Sequence, residues 1–137
     1  LMENGKGLQL LAQRIRATIA RSGTVPEIAA HATALGSALQ QVGEATQQAW
    51  TTGNPGEALA NAVPYMQAFG HTVLAWMWLD VASAALQSDP QQARISTQGQ
   101  LGATRYFFHY ELPKIGAWLN VVQSRDMTCA HFPDEAF

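Results

Sequence analysis

The 137-residue sequence predicts an all-α domain: an antiparallel up-and-down four-helix bundle with an irregular C-terminal tail. Three observations carry that reading. Apolar residues recur at steps of three and four along most of the chain. No stretch of strand length alternates apolar with polar residues. Short clusters rich in Ser, Thr, Asn, Asp, Gly and Pro divide the chain into helical lengths joined by tight connections.

The first helix is expected over 7–21, where Leu8, Leu11, Ala12, Ile15 and Ile19 share one face and Arg14, Arg16 and Arg21 lie off it. Ser22-Gly23 stops it. Thr24-Val25-Pro26-Glu27 has the form of a capping box, with Thr24 accepting a backbone N–H and Glu27 reaching back. It opens a second helix over 25–52, whose seam runs Ile28, Ala32, Leu35, Leu39, Val42, Thr46, Ala49. Asn54-Pro55-Gly56-Glu57 repeats the start signal for a third helix over 55–87. Ser88-Asp89-Pro90 ends it and opens a fourth over 90–123, marked by Ile95, Leu101, Phe108, Leu112, Ile115, Leu119 and Val122. Pro113 should kink or break that helix, because it lacks an N–H and crowds the carbonyl four residues back. Gly99 and Gly102 inside it read as positions of close helix contact. From Ser124 to Phe137 no helical period is present.

Composition excludes some functions. Eight Lys and Arg against ten Asp and Glu give a net charge of -2, so no basic field exists to hold nucleic acid. Charged residues are 13% of the chain against roughly 25% in an average domain, which points to a surface partly covered by other protein. The single Cys129 cannot pair internally and no signal-peptide pattern opens the chain, so the expected setting is cytoplasmic. Leu1 in place of Met suggests a cut through a longer polypeptide, with 1–137 as one domain of it.

Gly56 to Asp80 is almost wholly small or apolar, long enough to span a membrane. Gln67 and His71 in its middle and the absence of flanking Lys or Arg argue against a span. One face of this helix carries Leu59, Val63, Met66, Val73, Met77 and Val81; another carries Ala62, Tyr65, Phe69, Trp76 and Leu79. In so small a bundle no helix is expected to be central, so a second apolar face should meet something outside. Tyr65, Phe69, Trp76 and Trp78 are the candidate interface residues. A second reading stays open, in which the tail folds back and Phe132 and Phe137 cap the two tryptophans.

No catalytic, cofactor-binding or metal-binding residue is expected in this chain. Di-iron bundles use Glu-x-x-His pairs on one helical face, and Glu27, Glu44, Glu57 and Glu111 all lack a His three residues on. His31, His71, His109 and His131 fall on separate elements and read as surface or bundle histidines. Cys129 has His131 beside it but no orienting third group. Arg105, Tyr106 and His109 line one side of the fourth helix and either hold an anion or form a polar seam within the bundle; the seam is favoured.

Two stretches carry a family resemblance. Asn54–Gly70, NPGEALANAVPYMQAFG, resembles the helix-opening stretch in the C-terminal extension of large acyl-CoA dehydrogenases. Ala103–Trp118, ATRYFFHYELPKIGAW, is similar to its later Leu-Pro segment, while GLQLLAQRI and the terminal DEAF resemble its opening helix and its ending. The large members include enzymes of the methylmercaptopropionyl-CoA dehydrogenase type. The resemblance implies a parent flavoenzyme that uses FAD and a glutamate to dehydrogenate an acyl-CoA thioester, and passes electrons to an electron-transfer flavoprotein. It further implies that the flavin site lies in a catalytic body preceding Leu1, and that the present domain packs against that body or a second subunit. His71, Ala75, Trp76, Met77 and Trp78 stand where relatives often have small residues, which leaves acyl-chain preference open. Two other classes fit the same residues: a stand-alone adaptor or dimerisation bundle and, less well, a bundle holding a hydrophobic ligand.

Overall fold

Residues 5–136 are described by the computed structural model, and every regular element among them is helical. In chain order the α-helices are α1 (Lys6–Gly23), α2 (Ala29–Ala49), α3 (Pro55–Leu59), α4 (Ala62–Ser88), α5 (Ile95–Tyr106) and α6 (Ile115–Ser124). The all-α class is therefore as expected. Where the helices start and stop is decided by proline and by side-chain caps.

Asn54 caps α3 as its sequence suggests: its Oδ1 accepts the Gly56 N–H at 2.8 Å, Pro55 follows, and Glu57 sits in the first turn. The helix lasts only one turn. Pro64 has no N–H for the Ala60 carbonyl and its ring crowds that carbonyl, so the chain breaks at 60–61 and restarts as α4. The expected single helix over 55–87 is thus two.

Pro113 acts the same way on the following rod. Phe107–Glu111 widens into a π-helical turn, with the Leu112 N–H reaching back five residues to the Phe107 carbonyl, and Leu112–Lys114 tightens into a 3₁₀ turn before α6. The rod over 90–123 is bent by this device and does not begin at Pro90. Asp89 accepts the backbone N–H groups of Ala93 (3.1 Å) and Arg94 (2.9 Å), and α5 starts only at Ile95. Ile95, expected inside, is 86% exposed in consequence.

The Thr24–Glu27 capping box is not made either. The Thr24 hydroxyl donates to the Arg21 carbonyl at 2.9 Å, closing α1, while the Glu27 carboxylate accepts from Gln92 at 3.4 Å. One hydroxyl hydrogen serves the end of the first helix, and residues 24–28 form a turn that delays α2 to Ala29.

The α4 helix packs on α1, α2, α5 and α6 and is the centre of the domain, contrary to the expectation that no helix would be. Its buried stripe is Ala68, Thr72, Ala75, Leu79, Ala82 and Leu86, steps of four and three in which every second residue is alanine. Small side chains let four neighbours approach one helix closely, and the resulting core also takes in Ile15, Ile28, Leu35, Val42, Phe108, Leu112, Ile115 and Leu119. Two polar contacts pin the ends of this assembly. Asn61 donates to the Asp126 carbonyl at 2.9 Å and Arg125 to the Gln48 carbonyl at 3.0 Å, fixing the end of α6 beside the ends of α2 and α3.

The close contacts come from alanine and not from Gly99 or Gly102. A Cβ at Gly99 would meet no atom within 4 Å, and one at Gly102 only the Arg105 side chain at 4.0 Å. Glycine in the exposed interior of α5 is simply a weak helix former. Gly99→Ala is expected to raise unfolding stability by about 0.5–1 kcal/mol, read as an upward shift of the thermal midpoint. An unchanged or lower midpoint would mean that the glycine meets something this chain does not contain.

Candidate functional site

The four candidate interface side chains all lie half-buried along the flanks of the alanine stripe, packed against the core. Trp76 is fixed by a polar contact: its indole N–H donates to the buried Thr18 hydroxyl at 2.8 Å. Thr18 also accepts from Arg21 at 3.2 Å, and Arg21 bridges to Asp80 at 3.0 Å, so this small network locks α1 to α4. Tyr65 makes a 2.8 Å hydroxyl contact with Thr46. Because Thr46 gives its own hydrogen to the Val42 carbonyl, the tyrosine is the donor. Phe69 stacks on Tyr65 with ring centroids 6.2 Å apart. Phe132 of the tail is 49% exposed, and Phe137 lies outside the described residues.

What α4 leaves uncovered is a different row. Val63, Met66, Leu74, Met77 and Val81 follow one another at helical spacing, each at least 43% exposed, and Leu59 at the end of α3 extends the row. No helix among the described residues is long and apolar enough to cross a membrane. The row lies on a helix whose other faces form the centre of the core.

The sequence signals for chemistry resolve into two polar clusters. His71 lies between Phe107 and Trp118, with ring centroids 5.6 and 4.8 Å away, and its Nε2 is 3.5 Å from Glu111 Oε2. Lys114 Nζ approaches the same carboxylate at 2.6 Å. That contact, followed by the His71 interaction and the two charges, holds the Glu111 carboxyl below its usual range, while desolvation opposes it. His71 thus has a carboxylate partner forty residues away, which local spacing did not reveal. The π turn at Phe107–Glu111 is what brings Phe107 and Glu111 to it.

At the other cluster His31 of α2 rests on Phe108, centroids 4.7 Å apart, with the His109 ring edge-on at 6.4 Å. Burial lowers the His31 pKa, and the charges of His109 and Arg105 lower it further. Arg105, Tyr106 and His109 are exposed, so they lie on the surface and not in a polar seam within the bundle. His31 was missed as their companion because the contact spans the whole of α3 and α4. Cys129 is an exposed free thiol in the tail. Among the described residues no three His, Cys, Asp or Glu side chains come together in a way that could hold a metal ion.

The family model described as acetyl-CoA dehydrogenase C-terminal like matches residues 11–133 of this chain. The chain belongs to that family. The match runs from α1 through α6, and so includes both proline-interrupted stretches, Asn54–Gly70 and Ala103–Trp118, on which the resemblance was read. In this C-terminal-like domain those two stretches flank a single contact: His71, one residue past the first, packs on Phe107 and Trp118 of the second. Comparison with curated proteins and with solved structures gives no match.

Proposed function

We propose that the chain is the non-catalytic C-terminal domain of an FAD-dependent acyl-CoA dehydrogenase, and that it acts by packing on the catalytic body and on a second subunit. FAD, acyl-CoA and the electron-transfer flavoprotein belong to the parent enzyme in this reading, and the single Cys129 suits a cytoplasmic setting. Family membership over residues 11–133 supports the parentage. The observation that carries the packing role is the exposed apolar row Val63, Met66, Leu74, Met77, Val81. Covering it removes apolar surface from water at about 25 cal/mol for each Å².

The test is the intact mass and visible spectrum of the native polypeptide purified from its source. A yellow protein several times heavier than 14.8 kDa is expected. Met66→Glu with Met77→Glu, both at positions more than half exposed, should then leave the helical circular dichroism intact and shift the enzyme to smaller species in sedimentation. A colourless protein of 14.8 kDa would instead favour the second reading, a stand-alone adaptor or dimerisation bundle that uses the same row.

A further inference from the structure

Two shallow clefts adjoin at Arg105. The first, about 480 Å³, lies between the start of α2 and α5 and is lined by Glu27, His31, Gln98 and Arg105 among others. The second, about 580 Å³, is lined by Gly102, Arg105, Tyr106, His109 and Tyr110. Both are of a size that accepts a small molecule. The polar groups they present are one guanidinium, one carboxylate and two imidazoles, whose ring nitrogens can bond an anion or take up a proton when one arrives. Ion pairs among the described residues join Arg21 to Asp80 and Glu111 to His71 and Lys114; Arg105 takes part in neither group. The Glu27 carboxylate is turned toward the Gln92 amide at 3.4 Å. Arg105 is therefore a fixed positive charge whose bidentate fork is open to an anion.

The aromatic part of the face is equally specific. Tyr106 and Tyr110 stack on each other, centroids 4.9 Å apart and planes 20° from parallel, yet they are 57% and 66% exposed. The core gains little from rings held in water, and their stack offers a flat surface for another ring. The π turn that begins at Phe107 presents His109 and Tyr110 on the outside while Phe107 and Phe108 stay buried, and such turns recur at binding sites.

We propose that this face binds a nucleoside phosphate, with the phosphate held by Arg105, His109 and His31 and the base laid on the Tyr106–Tyr110 stack. The cleft volumes favour a single small ligand over an acidic protein segment. Burial first, and then electrostatic repulsion from the His109 and Arg105 side, disfavour the charged form of His31 while the site is empty. An arriving phosphate reverses that bias, so binding takes up protons and strengthens as the pH falls toward 6. Glu27 is the one acidic group lining these clefts, and it opposes the phosphate. This proposal does not depend on the role of the domain in a larger enzyme.

The experiment is calorimetric titration of the chain with ADP at pH 6 and low salt, beside inorganic phosphate and adenosine. ADP is expected to bind at least tenfold more tightly than either fragment. Arg105→Gln should weaken it at least tenfold, and Tyr106→Ala with Tyr110→Ala should reduce it to the affinity of inorganic phosphate. Glu27→Gln should tighten it, and raising the pH to 8 should weaken it. The proposal is overturned if ADP binds no better than phosphate, or if poly-glutamate binds more tightly than ADP. Unchanged affinity in an Arg105→Gln protein that keeps its helical signal overturns it too. Should that variant fail to fold, Glu27→Gln decides, and an affinity that does not rise counts against the site.

Discussion

Leu79→Ala is expected to lower the free energy of unfolding by about 3 kcal/mol, whereas Met77→Ala, two residues away on the same helix, should change it by less than about 0.5 kcal/mol. Leu79 is fully buried where α4 meets its neighbours, and Met77 is 55% exposed on the opposite side. Truncating Leu79 opens a cavity that cannot readily close, since the residues before and after it in the stripe, Ala75 and Ala82, are already as small as the replacement. Met77 is more than half in water, so its truncation removes little packing and leaves no closed cavity. Urea unfolding of the two variants, with equal slopes, is the measurement. Equal losses from both would mean that the row containing Met77 is covered within the chain itself, and the docking surface proposed for it would disappear.

The contrast between those two residues also shows where sequence reading stops. The all-α class and some helix ends follow from local signals, because a proline or an Asx cap acts on carbonyls and N–H groups within about one turn. Asn54 with Pro55 and the bend at Pro113 were legible for that reason. Which face of α4 points inward was not legible. Three stripes compete on that helix, one of Val and Met, one of aromatic residues and one of alanine, and hydrophobicity ranks the alanines last. The alanine stripe is buried because four neighbours must fit around one helix, a requirement of closeness and not of apolar area. The aromatic residues then fall on its flanks, half-buried, with Trp76 and Tyr65 anchored by hydroxyls of α1 and α2. The same distance limit hid the polar clusters. His31 with His109 and His71 with Glu111 are pairs whose members lie on helices far apart in sequence, and nothing near either histidine announces its partner.

Asp89 tests the joint between α4 and α5, and there the largest pH dependence should appear. Its carboxylate is buried and accepts the N–H groups of Ala93 and Arg94, holding a five-residue turn in which Gln92 adopts a left-handed backbone. The Arg94 N–H is the main cause that lowers the Asp89 pKa, followed by the Thr97 hydroxyl; desolvation works against them, and the Ala93 N–H and the Arg94 charge add to the lowering. A carboxyl whose folded pKa lies below its unfolded value binds fewer protons when folded. Its contribution is thus fully present above an unfolded pKa of 3.8 and is lost as the pH falls through the folded pKa. Asp89→Ala should therefore lower the thermal midpoint at pH 7 by on the order of 5 °C. It should also flatten the decline below pH 4, so that the two proteins converge in acid. Glu111 and Asp126, both lowered by hydrogen bonds, keep part of that slope in either protein. His31 acts in a separate window. Its folded pKa lies below 6.5, so the neutral form stabilises the fold above that value and stability falls as the pH drops beneath it. Melting curves of both proteins from pH 8 to pH 3 separate the two windows. Parallel curves throughout would show that Asp89 holds the turn by shape and not by charge, and an isosteric Asp89→Asn protein should then melt like the parent at every pH.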